Sequence, residues 1–214
     1  MKAILFDLDG TLLDTLQDIA DACNAALTRH GFPAHPVNAY RYFVGDGVEA
    51  LITRVVPRSN HDPARLASVL AAYREEYHRR WKATTQPYAG VPEMLDELTR
   101  RKITLTVLSN KPDDFTRRCV TELLPHWSFS MVMGASKDYP PKPDPASALQ
   151  IVKTLDIPAD EFVYLGDTAT DMQTAISAGM LPVGALWGFR TSEELTASGA
   201  RHLVSHPREL LALL

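Results

Sequence analysis

Cysteine is almost absent from this chain, with two in 214 residues, Cys23 and Cys119. They lie far apart within helical patterns, so neither a disulfide framework nor a thiolate metal site is supported, and each reads as a small buried hydrophobe in a reducing compartment. Long apolar runs are missing too. Nothing approaches the ~18 consecutive apolar residues of a membrane helix. The opening Met1-Lys2-Ala3 enters an apolar run that ends at Asp7, too short for a secretory signal. Positive charge is not in surplus: 22 Lys and Arg stand against 26 Asp and Glu, a net −4, and no basic face advertises nucleic acid. The seven histidines show no ligand spacing, and there is no internal repeat or low-complexity segment. These absences lead us to expect a cytoplasmic protein with neither nucleic acid nor membrane as partner. We expect a monomer or a homodimer.

What is present is an alternation of short apolar runs with amphipathic helical stripes, the pattern of βαβ units and a parallel sheet. Strands are predicted at 2–6, 103–108, 129–133, 162–165 and 181–186, with a sixth at 202–204. Between them, Val91, Met94, Leu95 and Leu98, or Ala148, Leu149, Val152 and Leu155, each form one apolar stripe that would pack on a sheet. Pro92, Pro112 and Pro145 fall where helices should start, since the first turn needs no N–H from them. The alternation breaks once. After the first strand, Leu16, Ile19, Cys23 and Leu27, then Val48, Leu51, Ile52 and Val55, then Leu66 through Trp81, keep helical spacing without a strand. We therefore expect a core domain of residues 1–14 and 87–214 and an all-helical insertion of residues 15–86. The length allows a sizeable core plus such a small second domain.

The chemistry-bearing residues sit at predicted strand ends, where open α/β sheets bind ligands. Ala3-Ile4-Leu5-Phe6 delivers Asp7 and Asp9 into a Gly10-Thr11 turn. The second strand ends in Ser109-Asn110-Lys111, which reads either as an anion cradle or as a helix cap. Tyr139-Pro140-Pro141-Lys142-Pro143-Asp144-Pro145 holds one lysine stiffly among prolines, a fixed cation or a surface lysine. Another strand runs into Gly166-Asp167-Thr168 with Asp171 in the next helical turn, where an acid also suits the helix dipole. Taken together, the acids form an oxygen-rich cluster suited to Mg2+, and the hydroxyl, amides and lysine suit a phosphate. An activated aspartate is a nucleophile for phosphoryl transfer, forming an aspartyl-phosphate.

These motifs resemble, in order, the four of the haloacid dehalogenase superfamily of phosphohydrolases: Asp7-Leu8-Asp9-Gly10-Thr11, Ser109, Lys142, and Gly166-Asp167-Thr168 with Asp171. The resemblance spans the chain. It implies a Rossmann-like parallel sheet sandwiched by helices, with the insertion as the helical cap of the superfamily's first subclass. The phrases Asp7-Leu8-Asp9-Gly10-Thr11-Leu12-Leu13-Asp14-Thr15, Ser109-Asn110-Lys111-Pro112, Pro141-Lys142-Pro143 and Trp187-Gly188-Phe189 resemble phosphoglycolate phosphatases most closely. The resemblance implies that Asp7 is the nucleophile and Asp9 the general acid and base. Mg2+ would be held by Asp7, the Asp9 carbonyl and Asp167, with Asp171 orienting its water. Ser109, Asn110 and Lys142 would bind phosphate, and Thr11 would fix the pose of Asp9 or stabilise the turn. Arg41, in the insertion, is a candidate for a substrate carboxylate or else a solvated arginine. The substrate is then a small-molecule phosphate ester, with 2-phosphoglycolate first. Another phosphatase or pyrophosphatase of the superfamily, a β-phosphoglucomutase-type phosphomutase, and a binding module without activity are the competing readings. A true dehalogenase would need neither the metal nor Asp9.

Overall fold

The computed structural model describes all residues, Met1–Leu214. In chain order the elements are β1 (Ala3–Phe6), β2 (Leu13–Asp14), α1 (Leu16–Arg29), α2 (Tyr40–Phe43), α3 (Val48–Val55), α4 (Pro63–Arg80), β3 (Gln86–Pro87) and α5 (Val91–Arg100). There follow β4 (Thr104–Pro112), α6 (Asp113–Leu123), β5 (Met131–Ala135), α7 (Ala146–Leu155), β6 (Phe162–Gly166), α8 (Ala169–Ala178), β7 (Leu181–Ala185), α9 (Ser192–Ala197) and β8 (His202–Val204). The chain divides into two units, Met1–Leu13 with Pro87–Leu214, and Asp14–Gln86. Asp14 thus falls with the helical unit. The crossings between units are β2 and β3, which pair as a separate two-stranded ladder.

The first unit is built on a six-stranded sheet in the order β5-β4-β1-β6-β7-β8, parallel throughout. Its central strand, Ala3–Phe6, is buried at every residue, as a strand covered on both faces must be. Ala3 and Leu5 pack with Phe162, Tyr164, Ala148, Ile151 and Ala175 on one face, and alternation sends Ile4 and Phe6 to the other. From β1 the chain pairs first with β4 and outward to β5, then returns to β6 on β1's other edge and continues to β7 and β8. This reversal opens a crevice beyond the carboxyl end of β1, the ligand position of doubly wound sheets.

Two strands differ from their predicted limits by more than one residue. The second runs on to Pro112 rather than stopping at Leu108, with a register break between those residues. Pro112 disfavours helical backbone at the residue before it, so Ser109-Asn110-Lys111 stay extended and buried. The third begins at Met131 rather than Phe129, because its first pairing is Thr106 with Met131.

In the helical unit α1 and α4 pack together, burying Ile19, Ala20, Cys23 and Leu27 from one helix and Val69, Tyr73 and Tyr77 from the other. Tyr73 and Tyr77 stack at 5.6 Å between ring centroids. No helix of the molecule is long and apolar enough to cross a membrane.

Candidate active site

The turn after β1 is shaped by one carbonyl. Leu8 O accepts the N–H groups of Thr11, Leu12 and Leu13 at 3.3, 3.0 and 3.0 Å, and Gly10 takes φ +93°, a left-handed value that L side chains avoid. A Cβ on Gly10 would also lie 2.3 Å from Asp167 Oδ2. The turn therefore needs glycine for conformation and for space.

With it, four further chain segments bring polar groups together. Lys142 is the hub: its ammonium donates to Asp7 Oδ1 at 2.9 Å, to Asp171 Oδ1 at 2.7 Å and to Leu108 O at 3.1 Å. Those three acceptors match its three protons. Burial alone would push this ammonium down, but Asp171 and Asp7 hold it well above the usual lysine value. Asp171 is engaged on both oxygens. It closes a capping box with Thr168 at the start of α8 and also accepts from the Tyr164 hydroxyl at 3.3 Å. The acid expected to suit the helix dipole is thus a capping-box residue whose other oxygen meets the Lys142 ammonium.

Asp167 accepts from Thr11 Oγ1 at 2.8 Å and from the Phe189 N–H at 2.7 Å. Thr11 therefore fixes Asp167 and not Asp9; the turn at Gly10 carries its hydroxyl across to the end of β6. Trp187 donates to the Thr11 carbonyl at 2.9 Å, so the Trp187-Gly188-Phe189 loop braces the same turn. Gly188 is needed there because a Cβ would meet Asp167 Cβ at 2.3 Å.

Asp9 has a different cation from Asp7. Lys111 Nζ lies 2.9 and 3.1 Å from its two oxygens, with the lysine side chain 5% and the aspartate 12% exposed. Sequence reasoning passed over Lys111 as one member of an anion cradle and passed over Tyr164 as a strand hydrophobe. The signals were a lysine held extended by Pro112 and a phenol inside an apolar strand. Ser109, buried, accepts the Lys111 N–H at 3.2 Å. Asn110 turns its carboxamide onto the main chain of Lys142. Arg41 belongs to α2 of the helical unit and is not among the residues that these strand ends gather.

Asp7, Asp167 and Asp171 each offer a carboxylate oxygen within 4.8 Å of the others, all buried. Burial first, then Asp171, push the Asp7 carboxyl up to about 7, with Lys142 pulling it back in part. Burial, Asp7 and Asp171 likewise raise Asp167 well above the usual carboxylate range. Three desolvated acids sharing one ammonium carry more negative charge than the site compensates. The all-oxygen donor set fits a hard divalent cation.

Residues 4–185 match the family of haloacid dehalogenase-like hydrolases, and the chain belongs to that family. It is 29% identical to a phosphoglycolate phosphatase of Vibrio parahaemolyticus, over 100% of this chain and 96% of that protein. It is 29% identical to one of Aquifex aeolicus, over 100% and 97%. A crystal structure from Lactobacillus delbrueckii subsp. bulgaricus superposes with a TM-score of 0.92 at 30% identity, covering 98% of this chain and 96% of that one. The parallel sheet with flanking helices is therefore the fold of this hydrolase family, as the resemblance implied.

Proposed function

We propose that the ester this phosphatase hydrolyses is 2-phosphoglycolate, in the cytoplasm, with Mg2+ and through an aspartyl-phosphate on Asp7. One observation carries the mechanism: the two acids of the opening turn are held by two different lysines, Asp7 by Lys142 and Asp9 by Lys111. They are thereby separated into two roles. The substrate is supported by the phosphoglycolate phosphatases that align with the chain over nearly their whole length.

Asp7 attacks phosphorus in line, and the bond to the leaving oxygen breaks as Asp9 gives that oxygen a proton, releasing glycolate. Water then attacks the aspartyl-phosphate while Asp9 takes its proton, which frees phosphate and restores Asp7. Lys142 favours the ionised form of Asp7, and its positive charge, with the Ser109 hydroxyl, stabilises the phosphoryl oxygens as charge develops on them. Thr11 and the Phe189 N–H fix Asp167, and Thr168 and Tyr164 fix Asp171, so the carboxylates are oriented before substrate arrives. Asp7, Asp167 and the Asp9 carbonyl would hold Mg2+, with Asp171 orienting its water, and the ion when bound would offset the repulsion between carboxylate and phosphoryl group.

The test is release of inorganic phosphate from a panel containing 2-phosphoglycolate, pyrophosphate, sugar phosphates and nucleotides. The highest kcat/KM is expected for 2-phosphoglycolate; a clearly better ester would overturn the substrate, and isomerised product without free phosphate would make the protein a mutase. Asp7→Asn should lower the rate by at least about 1,000-fold, as loss of a nucleophile does. Retained activity in that variant would remove Asp7 from its role.

A further inference from the structure

We infer that Asn110 is a positioning residue: its carboxamide clamps the main chain of Lys142 and thereby aims the Lys142 ammonium at Asp7. The inference rests on the role given to Lys142 above and reassigns Asn110 from a direct phosphate ligand. Asn110 Oδ1 accepts the Lys142 N–H at 2.9 Å, and its Nδ2–H donates to the Lys142 carbonyl at 3.1 Å. The orientation of the amide is unambiguous, because an N–H can only donate and a carbonyl only accept. Asn110 is 6% exposed and Lys142 6% exposed.

The loop explains why such a clamp is needed. Of the seven residues from Tyr139 to Pro145, four are proline and have no N–H to give. A segment of that composition cannot fasten itself by a ladder of its own. Its internal main-chain bond is Asp144 N–H to Pro141 O at 3.1 Å, which leaves the Lys142 N–H and carbonyl to Asn110. Asn110 is in turn held rigidly, since it lies in β4, next to the central strand. The lysine is thus fixed at its root by a strand and at its tip by Asp7, Asp171 and Leu108 O. A flexible four-carbon stem fixed at both ends has little freedom left, and a displacement of about 1 Å at such a site can cost about 100-fold in rate.

Because Asn110 acts through Lys142, the two residues should behave as a unit. Hydrolysis of p-nitrophenyl phosphate by Asn110→Ala, Lys142→Ala and the double variant is measured under single-turnover conditions with enzyme in excess, which keeps slow variants readable. Asn110→Ala should lose about 10- to 100-fold and Lys142→Ala more. The double variant should fall within twofold of Lys142→Ala, because removing a clamp on an absent side chain costs nothing further. Asn110→Asp keeps the acceptor for the Lys142 N–H but loses the donor to the Lys142 carbonyl, so it too should lose activity and be non-additive with Lys142→Ala. If Asn110→Ala does not fold, Asn110→Asp carries the same cycle. An additive double variant would overturn the inference and return Asn110 to direct contact with substrate, as would an Asn110→Ala enzyme within twofold of wild type. A Lys142→Ala enzyme with wild-type activity would instead defeat the role of Lys142 on which the inference stands.

Discussion

Asp18 shows how much a single carboxylate can hold. Nearly fully buried, it accepts from the N–H and hydroxyl groups of both Thr84 and Thr85, at 2.7 to 3.0 Å. It so ties the start of α1 to the end of the helical unit. Burial pushes its carboxyl up, but these hydrogen bonds outweigh burial and hold it below its ordinary value. A depressed value means stability that is present above the unfolded carboxyl's pKa of about 3.8 and lost as pH falls through the folded one. Asp18→Asn should therefore cost roughly 1–3 kcal/mol near neutrality, and urea midpoints should show the gap to wild type closing below about pH 4. A gap that stays constant with pH would disprove the clasp. At Lys111 the expectation concerns rate: Lys111→Met leaves Asp9 without its cation, and kcat should fall about 10- to 100-fold. Steady-state kinetics of a folded variant decide it, and an unchanged kcat would show the pair to be idle. Lys111 and Asp18 share a reason for being missed. Their partners lie 102 and 66 residues away, beyond any local pattern.

At the level of elements, periodicity and proline placement located most strands and helices, because an apolar run or stripe is a property of neighbours in sequence. Strand ends were harder. The extension of β4 through Ser109, Asn110 and Lys111 was decided by its partners and by Pro112, and it determines which distant groups Asn110 and Lys111 meet. The loop after β7 contributes the Trp187 indole N–H, the Phe189 main-chain N–H and a glycine, none of which a local pattern assigns to the turn after β1. Gly188→Ala should show this. The added Cβ would meet Asp167 Cβ at 2.3 Å, so the variant should lose about 1–3 kcal/mol of stability by overpacking. Its metal requirement should shift to higher concentration as Asp167 moves. Titration of activity with Mg2+ reads the second effect, and an unchanged requirement would show that Asp167 does not depend on this loop.

For the whole molecule, the acid cluster makes stability depend on pH and metal together. Asp7 has its folded pKa raised from 3.8 to about 7. Without metal, its contribution is therefore fully favourable below about pH 4 and lost as pH rises through about 7. A cation that binds the charged cluster reverses that loss, by about 3 kcal/mol at a hundredfold excess over Kd. Thermal melts with EDTA and with Mg2+ should thus diverge between pH 5 and 7.5; a metal effect independent of pH would contradict the electrostatics of the cluster. The sequence by itself determined the parallel sheet, the helical insertion and the acids and lysine of the motifs. These follow from periodicity, strand-end placement and residue chemistry, all properties of short stretches of chain. Only the tertiary structure decided that Thr11 serves Asp167, that Lys111 takes Asp9 while Lys142 takes Asp7 and Asp171, and that Asn110 grips the lysine loop. Charges and hydrogen bonds act between groups a few ångströms apart in space, and the strand order of the sheet chooses which distant segments come that close.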